Sequence, residues 1–137
     1  MQQIWNELHQ LCQQAKANGE VPVAAMVVRG GEIIASAHNQ VEKLKNPTAH
    51  AEMLAMQLAV NILGVKFLDD CDLYVTLEPC AMCAGAISHF RIRRLYFAAY
   101  SVKPPLMDLL SNTEIYGGIQ ETRFADILSD FFANKRQ

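Results

Sequence analysis

The stretch from Leu73 to Ala99 constrains this chain more than any other. Leu73-Tyr74-Val75-Thr76-Leu77 reads as a strand, Pro79 ends it, a small-residue helix follows from about Ala81 to Phe90, and Leu95 to Ala99 reads as another strand. A helix between two strands carries the chain back to its starting edge, so the strands pair in parallel through a crossover of fixed hand. The chain is therefore expected to build an α/β sheet with helix laid over it.

The remaining segments fit around this unit. Ile4, Trp5, Leu8, Leu11, Cys12 and Ala15 recur at three- and four-residue spacing ahead of Asn18-Gly19, which predicts an amphipathic first helix with Trp5 in the core. Val23 to Arg29 and Glu32 to Ala37 flank Gly30-Gly31 and predict an antiparallel hairpin. Asn46-Pro47-Thr48 offers a turn and an N-cap for a largely buried helix that runs through Met53 and Leu63 to Gly64. After Pro104-Pro105, a short helix is expected at Leu106 to Leu110, a weak fifth strand at Ile119 to Thr122, and a last amphipathic helix bearing Phe124, Ile127, Leu128, Phe131 and Phe132.

Composition bounds what such a chain can do. With 137 residues, 51% hydrophobic and 19% charged, it is expected to form a single domain over residues 1–137 that buries roughly two-thirds of its unfolded surface. The signature of disorder is absent. A net charge of −2 excludes a uniformly basic coat for nucleic acid and allows only a local patch, for which Arg91, Arg93, Arg94, Lys103 and Lys135-Arg136 are the candidates. Met1 to Gln14 has no signal-peptide pattern, and Val21 to Val28 falls far short of the about 20 residues a membrane span needs. The expected setting is cytoplasmic, with no membrane partner.

In a reducing compartment, a close cysteine pair points to metal binding or catalysis rather than a disulfide. Cys80 and Cys83 are such a pair, three apart and just after a helix-starting proline, while Cys12 and Cys71 read as small core residues. His50 adds an imidazole. A catalytic zinc takes three protein ligands and leaves its fourth position to water, so His50, Cys80 and Cys83 suffice to hold one Zn²⁺ per subunit. Glu52, two residues from a ligand, is the candidate general acid and base for the metal-activated water. Positions two apart face opposite sides of a regular helix, so His50 must sit at the helix mouth, before the backbone turns helical. A closed structural zinc would need a fourth ligand, and Cys71 is badly spaced for it. By average composition a P-C-x-x-C string arises by accident in roughly one chain of this length in a thousand, which sets chance aside.

The string His50-x-Glu52 followed by Pro79-Cys80-x-x-Cys83 resembles the signature of the zinc-dependent cytidine and deoxycytidylate deaminase superfamily. Within it the chain is similar to the bacterial tRNA-specific adenosine deaminases, on Glu20-Val21-Pro22-Val23, Asn39, Asn46 to Glu52, Leu73 to Cys80, Met82 to Ala86 and Ser129-Asp130-Phe131-Phe132. The resemblance implies a three-layer α/β/α fold with a mixed sheet of about five strands, one domain, and a homodimer. It implies hydrolytic deamination of the wobble adenosine of a tRNA anticodon stem-loop to inosine, with arginine tRNA the usual bacterial substrate. It further assigns His50, Cys80 and Cys83 as zinc ligands, Glu52 as proton shuttle, and Asn39, Val23 and Leu77 as substrate-binding positions. Read as residues alone, Asn39 could equally end a strand, and Val23 and Leu77 could be plain core.

One segment departs from the family. Where its members carry Phe-Gly-Ala-Arg-Asp and a longer loop, this chain has Phe97-Ala98-Ala99-Tyr100-Ser101-Val102-Lys103-Pro104-Pro105, without the Arg and Asp. Tyr100 would replace a charge by a stacking surface suited to single-stranded RNA, or else simply pack. Deamination of a free base or nucleoside such as guanine or cytosine is the alternative this departure supports. A catalytically silent zinc-stabilised RNA-binding module is the other, and Glu52 speaks against it, because a structural metal site has no use for that carboxylate.

Overall fold

The computed structural model describes residues 1–101 and 107–135. Helix α1 (Gln2–Ala17) leads into the hairpin β1 (Ala24–Arg29) and β2 (Glu32–His38), a short α2 (Val41–Leu44), α3 (Ala51–Leu63), β3 (Asp72–Leu77), α4 (Ala81–Phe90) and β4 (Arg94–Ala99). A 3-10 turn (Met107–Leu110), β5 (Glu114–Tyr116) and α5 (Glu121–Lys135) complete the order. The five strands form one sheet ordered β2-β1-β3-β4-β5. β1 is antiparallel to both neighbours, whereas β3, β4 and β5 run parallel, as the crossover through α4 requires.

Alternation along the strands sorts the core into two layers. Ala25, Val27, Leu73, Val75, Leu95 and Phe97 face one side and pack with Ala51, Ala55, Met56 and Ala59 of α3 and Ala84 and Ile87 of α4. Ala24, Met26, Val28, Tyr74 and Ala98 face the other and pack with Trp5, Leu8 and Cys12 of α1 and Phe124 and Ile127 of α5. Helices thus cover both faces, which is the expected three-layer arrangement. Trp5 is fully buried, and its indole Nε1 has no hydrogen-bond partner among the described residues. Its ring meets Tyr74 edge-on at 5.7 Å between centroids.

The C-terminal part differs from expectation at the fifth strand. Ile119 to Thr122 does not form it; Glu114–Tyr116 does. Ile119 gives β4 one hydrogen bond, from its N–H to the Phe97 carbonyl (3.2 Å), but Gln120 then turns left-handed (φ 53°) and α5 begins at Glu121. β5 is short, and side chains hold it in register: Tyr74, Tyr96 and Tyr116 stack in a row across three parallel strands at 4.6 and 5.1 Å, and Arg94 Nε pairs with Glu114 (2.7 Å). The expected short helix at Leu106 to Leu110 is a 3-10 turn over Met107–Leu110; Leu106 itself lies outside the described residues. α2 was not anticipated. Its first N–H groups, of Glu42 and Lys43, donate to the buried Glu20 carboxyl (3.0 and 2.9 Å), a cap supplied from more than 20 residues away.

Directly after β5 the backbone of Gly117 passes so close to Phe97 that a Cβ would run into the ring. Gly117→Ala is expected to lower unfolding stability by about 1–3 kcal/mol through overpacking, measured by urea denaturation against the parent chain.

Candidate metal centre

Three topological facts bring the site together. β2 and β3 both run antiparallel to β1, so their carboxyl ends lie at the same end of the sheet, and β1 starts there. Val23 immediately precedes β1, Asn39 immediately follows β2, and Leu77 ends β3. The Asn39 N–H donates to the Val23 carbonyl (3.0 Å), and α3 and α4 both begin at this end. Ligands of open α/β sheets bind outside the carboxyl ends of the strands, where loops and helix starts converge.

Each helix start is built so that its first residue can look outward. His50 is the N-cap of α3, with extended backbone (φ −74°, ψ 152°), and Cys80 is the N-cap of α4, equally extended (φ −74°, ψ 176°). Neither side chain caps its own helix. The extended backbone at His50 removes the objection that positions 50 and 52 would diverge on a regular helix. Thr48 is not the N-cap that the sequence suggested. Its N–H and hydroxyl both donate to Asn46 Oδ1 (2.9 and 2.7 Å), a local turn that competes with capping. The orphan N–H of Ala51 is taken instead by Asn39 Oδ1 at 2.7 Å.

The donors meet at the spacing zinc requires. His50 Nδ1 lies 3.6 Å from Cys80 Sγ and 3.5 Å from Cys83 Sγ, and the three ligand atoms lie within 4.8 Å of one another. A tetrahedral zinc with bonds of about 2.3 Å to sulfur and about 2.1 Å to nitrogen sets that N–S edge at about 3.6 Å. Burial, with the Glu52 carboxyl and Cys80 beside it, pushes the Cys83 thiol up, and a cation held at the site favours the thiolate. Burial also lowers His50, which favours the neutral imidazole a metal takes. Glu52 is 4% exposed. Burial raises its carboxyl above the ordinary range, while its own backbone N–H and the Cys83 thiol oppose the rise.

The other expected positions are distributed unevenly. Val23 is buried in the α3-side core, and Leu77 is half-buried against both cores. Cys12 and Cys71 are buried and free, as expected of core residues; burial pushes Cys12 up to about 11. Among the described residues, the arginines expected to form a basic patch lie away from the site. Arg93 and Arg94 stand at the start of β4, about 17 Å of strand from the metal end. There Arg93 pairs with Asp72 (3.2 Å) and Arg94 with Glu114, while Arg91 stacks on Phe67 (3.8 Å) and lines clefts at that far end. Lys103 and Arg136 lie outside the described residues. What the sequence hid most completely is the capping role of Asn39, since its partner Ala51 is 12 positions away.

Asn39→Ala leaves the Ala51 N–H unpaired next to His50. It is expected to cost about 1–2 kcal/mol in urea unfolding and to weaken zinc about tenfold in chelator competition, with Asn39→Asp retaining most of both.

Comparison with known proteins agrees with this geometry. Residues 1–99 match the model of the cytidine and deoxycytidylate deaminase zinc-binding region. The chain is 54% identical to a tRNA-specific adenosine deaminase of Aquifex aeolicus over 90 residues, 66% of this chain and 60% of that protein's length. It is 41% identical to the corresponding enzyme of Bacillus subtilis over 134 residues, 90% of this chain and 83% of that one. A solved structure from a study of A-to-I editing by tRNA:A34 deaminases at the wobble position of transfer RNA superposes with a TM-score of 0.87 at 36% identity, covering 93% of this chain and all of that one. A guanine deaminase from Nitrosomonas europaea superposes at 0.85 with 25% identity, covering 93% and 82%. The chain belongs to the zinc-binding cytidine and deoxycytidylate deaminase family, among the tRNA-specific adenosine deaminases.

Proposed function

We propose that this protein, a single domain over residues 1–137, hydrolyses the wobble adenosine of a tRNA anticodon loop to inosine and ammonia. The observation that carries the chemistry is the buried Glu52 carboxyl beside a His50, Cys80, Cys83 donor set already at zinc spacing. The named relatives carry the substrate. In this assignment His50, Cys80 and Cys83 hold one zinc. When bound, it lowers the pKa of a water molecule toward neutrality and so supplies the nucleophile for the carbon bearing the exocyclic amine.

The chain's own residues do the rest. Glu52 takes one proton of the attacking water and passes it to the adjacent ring nitrogen, then takes the proton of the hydroxyl newly bonded to the ring carbon and delivers it to the departing amine, so that ammonia leaves as the ring carbonyl forms. A carboxyl raised by burial is suited to that exchange, because it holds and releases a proton closer to neutral pH. Asn39, its oxygen committed to Ala51, would meet the flipped base through its amide NH₂, with Val23 and Leu77 as apolar walls. Arginine tRNA is the proposed partner, following the resemblance.

We further propose a homodimer, supported by the exposed Leu58 and Ile62 one turn apart on α3, and a cytoplasmic setting. All four cysteines are free, and none of the described helices is long and apolar enough to cross a membrane. Deamination of a free purine is the second possibility, favoured by the likeness to the Nitrosomonas europaea guanine deaminase.

The test is to incubate zinc-loaded protein with an anticodon stem-loop carrying adenosine at the wobble position and, in parallel, with guanine, cytosine and cytidine. Inosine and ammonia from the RNA are expected; product from free bases alone would overturn the proposal. Glu52→Ala should keep zinc by elemental analysis and lose at least 100-fold in turnover, whereas His50→Ala should lose the metal itself.

A further inference from the structure

Two of the strands that end at the metal site are joined, just beyond their last paired residues, by one side chain. Leu77 of β3 pairs with Ala99 of β4, and the next residue, Glu78, prolongs that pairing by donating its N–H to the Ala99 carbonyl at 2.8 Å. Its side chain then reaches further along the same segment, where Glu78 Oε1 accepts the Ser101 N–H at 3.0 Å. Backbone and side chain of a single residue therefore grip the chain on both sides of Tyr100.

Tyr100 is correspondingly placed. Its ring stands edge-on to Phe97, at 5.0 Å between centroids and 90° between planes, and passes so near Gly118 that a Cβ there would lie 3.3 Å from Tyr100 Cε2. It is nonetheless 54% exposed. An aromatic ring braced from below and open above offers a stacking surface at little entropic cost. Glu78 is also two residues from the ligand Cys80, a Cα separation of at most about 7 Å, so the clamp and the metal turn are parts of one short segment.

We propose that Glu78 is a positioning residue that fixes Tyr100 at the lip of the site, where the Tyr100 ring stacks on a nucleotide flanking the base to be deaminated. The proposal rests on the RNA substrate proposed above and adds how this chain recognises it. Stacking does not distinguish base identity, so Tyr100 would strengthen binding of a single-stranded loop without reading its sequence. The same surface has nothing to hold when the substrate is a lone base.

The experiment uses the zinc-loaded full chain and stem-loops with the wobble adenosine flanked on the 5′ or the 3′ side by an abasic residue. Tyr100→Ala is expected to raise KM for the intact stem-loop about tenfold with kcat changed less than twofold, and Tyr100→Phe to remain near the parent chain. One of the abasic stem-loops should show the same rise in KM with the parent chain and no further rise with Tyr100→Ala. Glu78→Ala should raise KM in the same direction and speed amide exchange at Ser101, while Glu78→Gln, which keeps an oxygen acceptor, should rescue both. A combined Glu78→Ala, Tyr100→Ala variant should be no worse than Tyr100→Ala alone.

Additive effects, an unchanged KM in Tyr100→Ala, or unchanged exchange at Ser101 in Glu78→Ala would overturn the proposal. So would loss of zinc in Glu78→Ala, since the residue would then be supporting the metal rather than the lip. If the parent chain binds the stem-loop by fluorescence anisotropy but yields no inosine, the deamination reading fails alone, and the same variants are compared by Kd.

Discussion

The site depends on α3 and α4 beginning side by side, each with its first residue still extended. A helix ordinarily satisfies its free N–H groups with the side chain at its N-cap, and that would consume His50 or Cys80. Here α3 receives its cap from Asn39, at the end of β2. The imidazole is thereby released toward the two sulfurs, with the positive ends of two helices nearby to favour negative charge on them. Because β2 and β3 reach the same edge on either side of β1, the capping residue and both helix starts are placed by strand pairing rather than by the loops alone.

Much of this was legible in the residues because its causes are local. The segment from β3 through α4 to β4 declares itself through β-branched runs, Pro79 and a small-residue helix, and its parallel pairing follows from connection geometry. The donor set was legible for a chemical reason, since an imidazole and paired sulfurs are recognisable without knowing the backbone. Features held by distant partners were not. α2 depends on Glu20, the start of α3 on Asn39, and β5 on a tyrosine row that exists only once three strands are in register. Three residues of strand show too little alternation to be read, and Ile119, which resembled a strand, is diverted by the left-handed turn at Gln120. The position of the arginines was hidden for a similar reason: they follow the metal helix closely in sequence yet stand at the opposite end of the sheet, where Arg93 and Arg94 pair with acidic neighbours.

The same scaffold carries a guanine deaminase and a tRNA:A34 deaminase, with similar superposition on this chain. The difference between such substrates therefore resides in the side chains and loops that the scaffold carries rather than in its layers. In this chain the segment after β4 carries the exposed Tyr100 ring, set against Phe97 and followed by Ser101, whose N–H donates to Glu78. A slightly acidic protein can still receive RNA if contact near the reacting base comes from hydrogen bonding and stacking instead of a broad basic surface.

The central claim is that two helix starts hold a zinc through one nitrogen and two sulfurs and leave a position open beside Glu52. Zinc-edge X-ray absorption on the metal-loaded protein tests it most directly. The account predicts one zinc per chain with two sulfur scatterers at about 2.3 Å and two nitrogen or oxygen scatterers at about 2.0–2.1 Å. A shell of three or four sulfurs, which would recruit Cys12 or Cys71 and close the site, would contradict it.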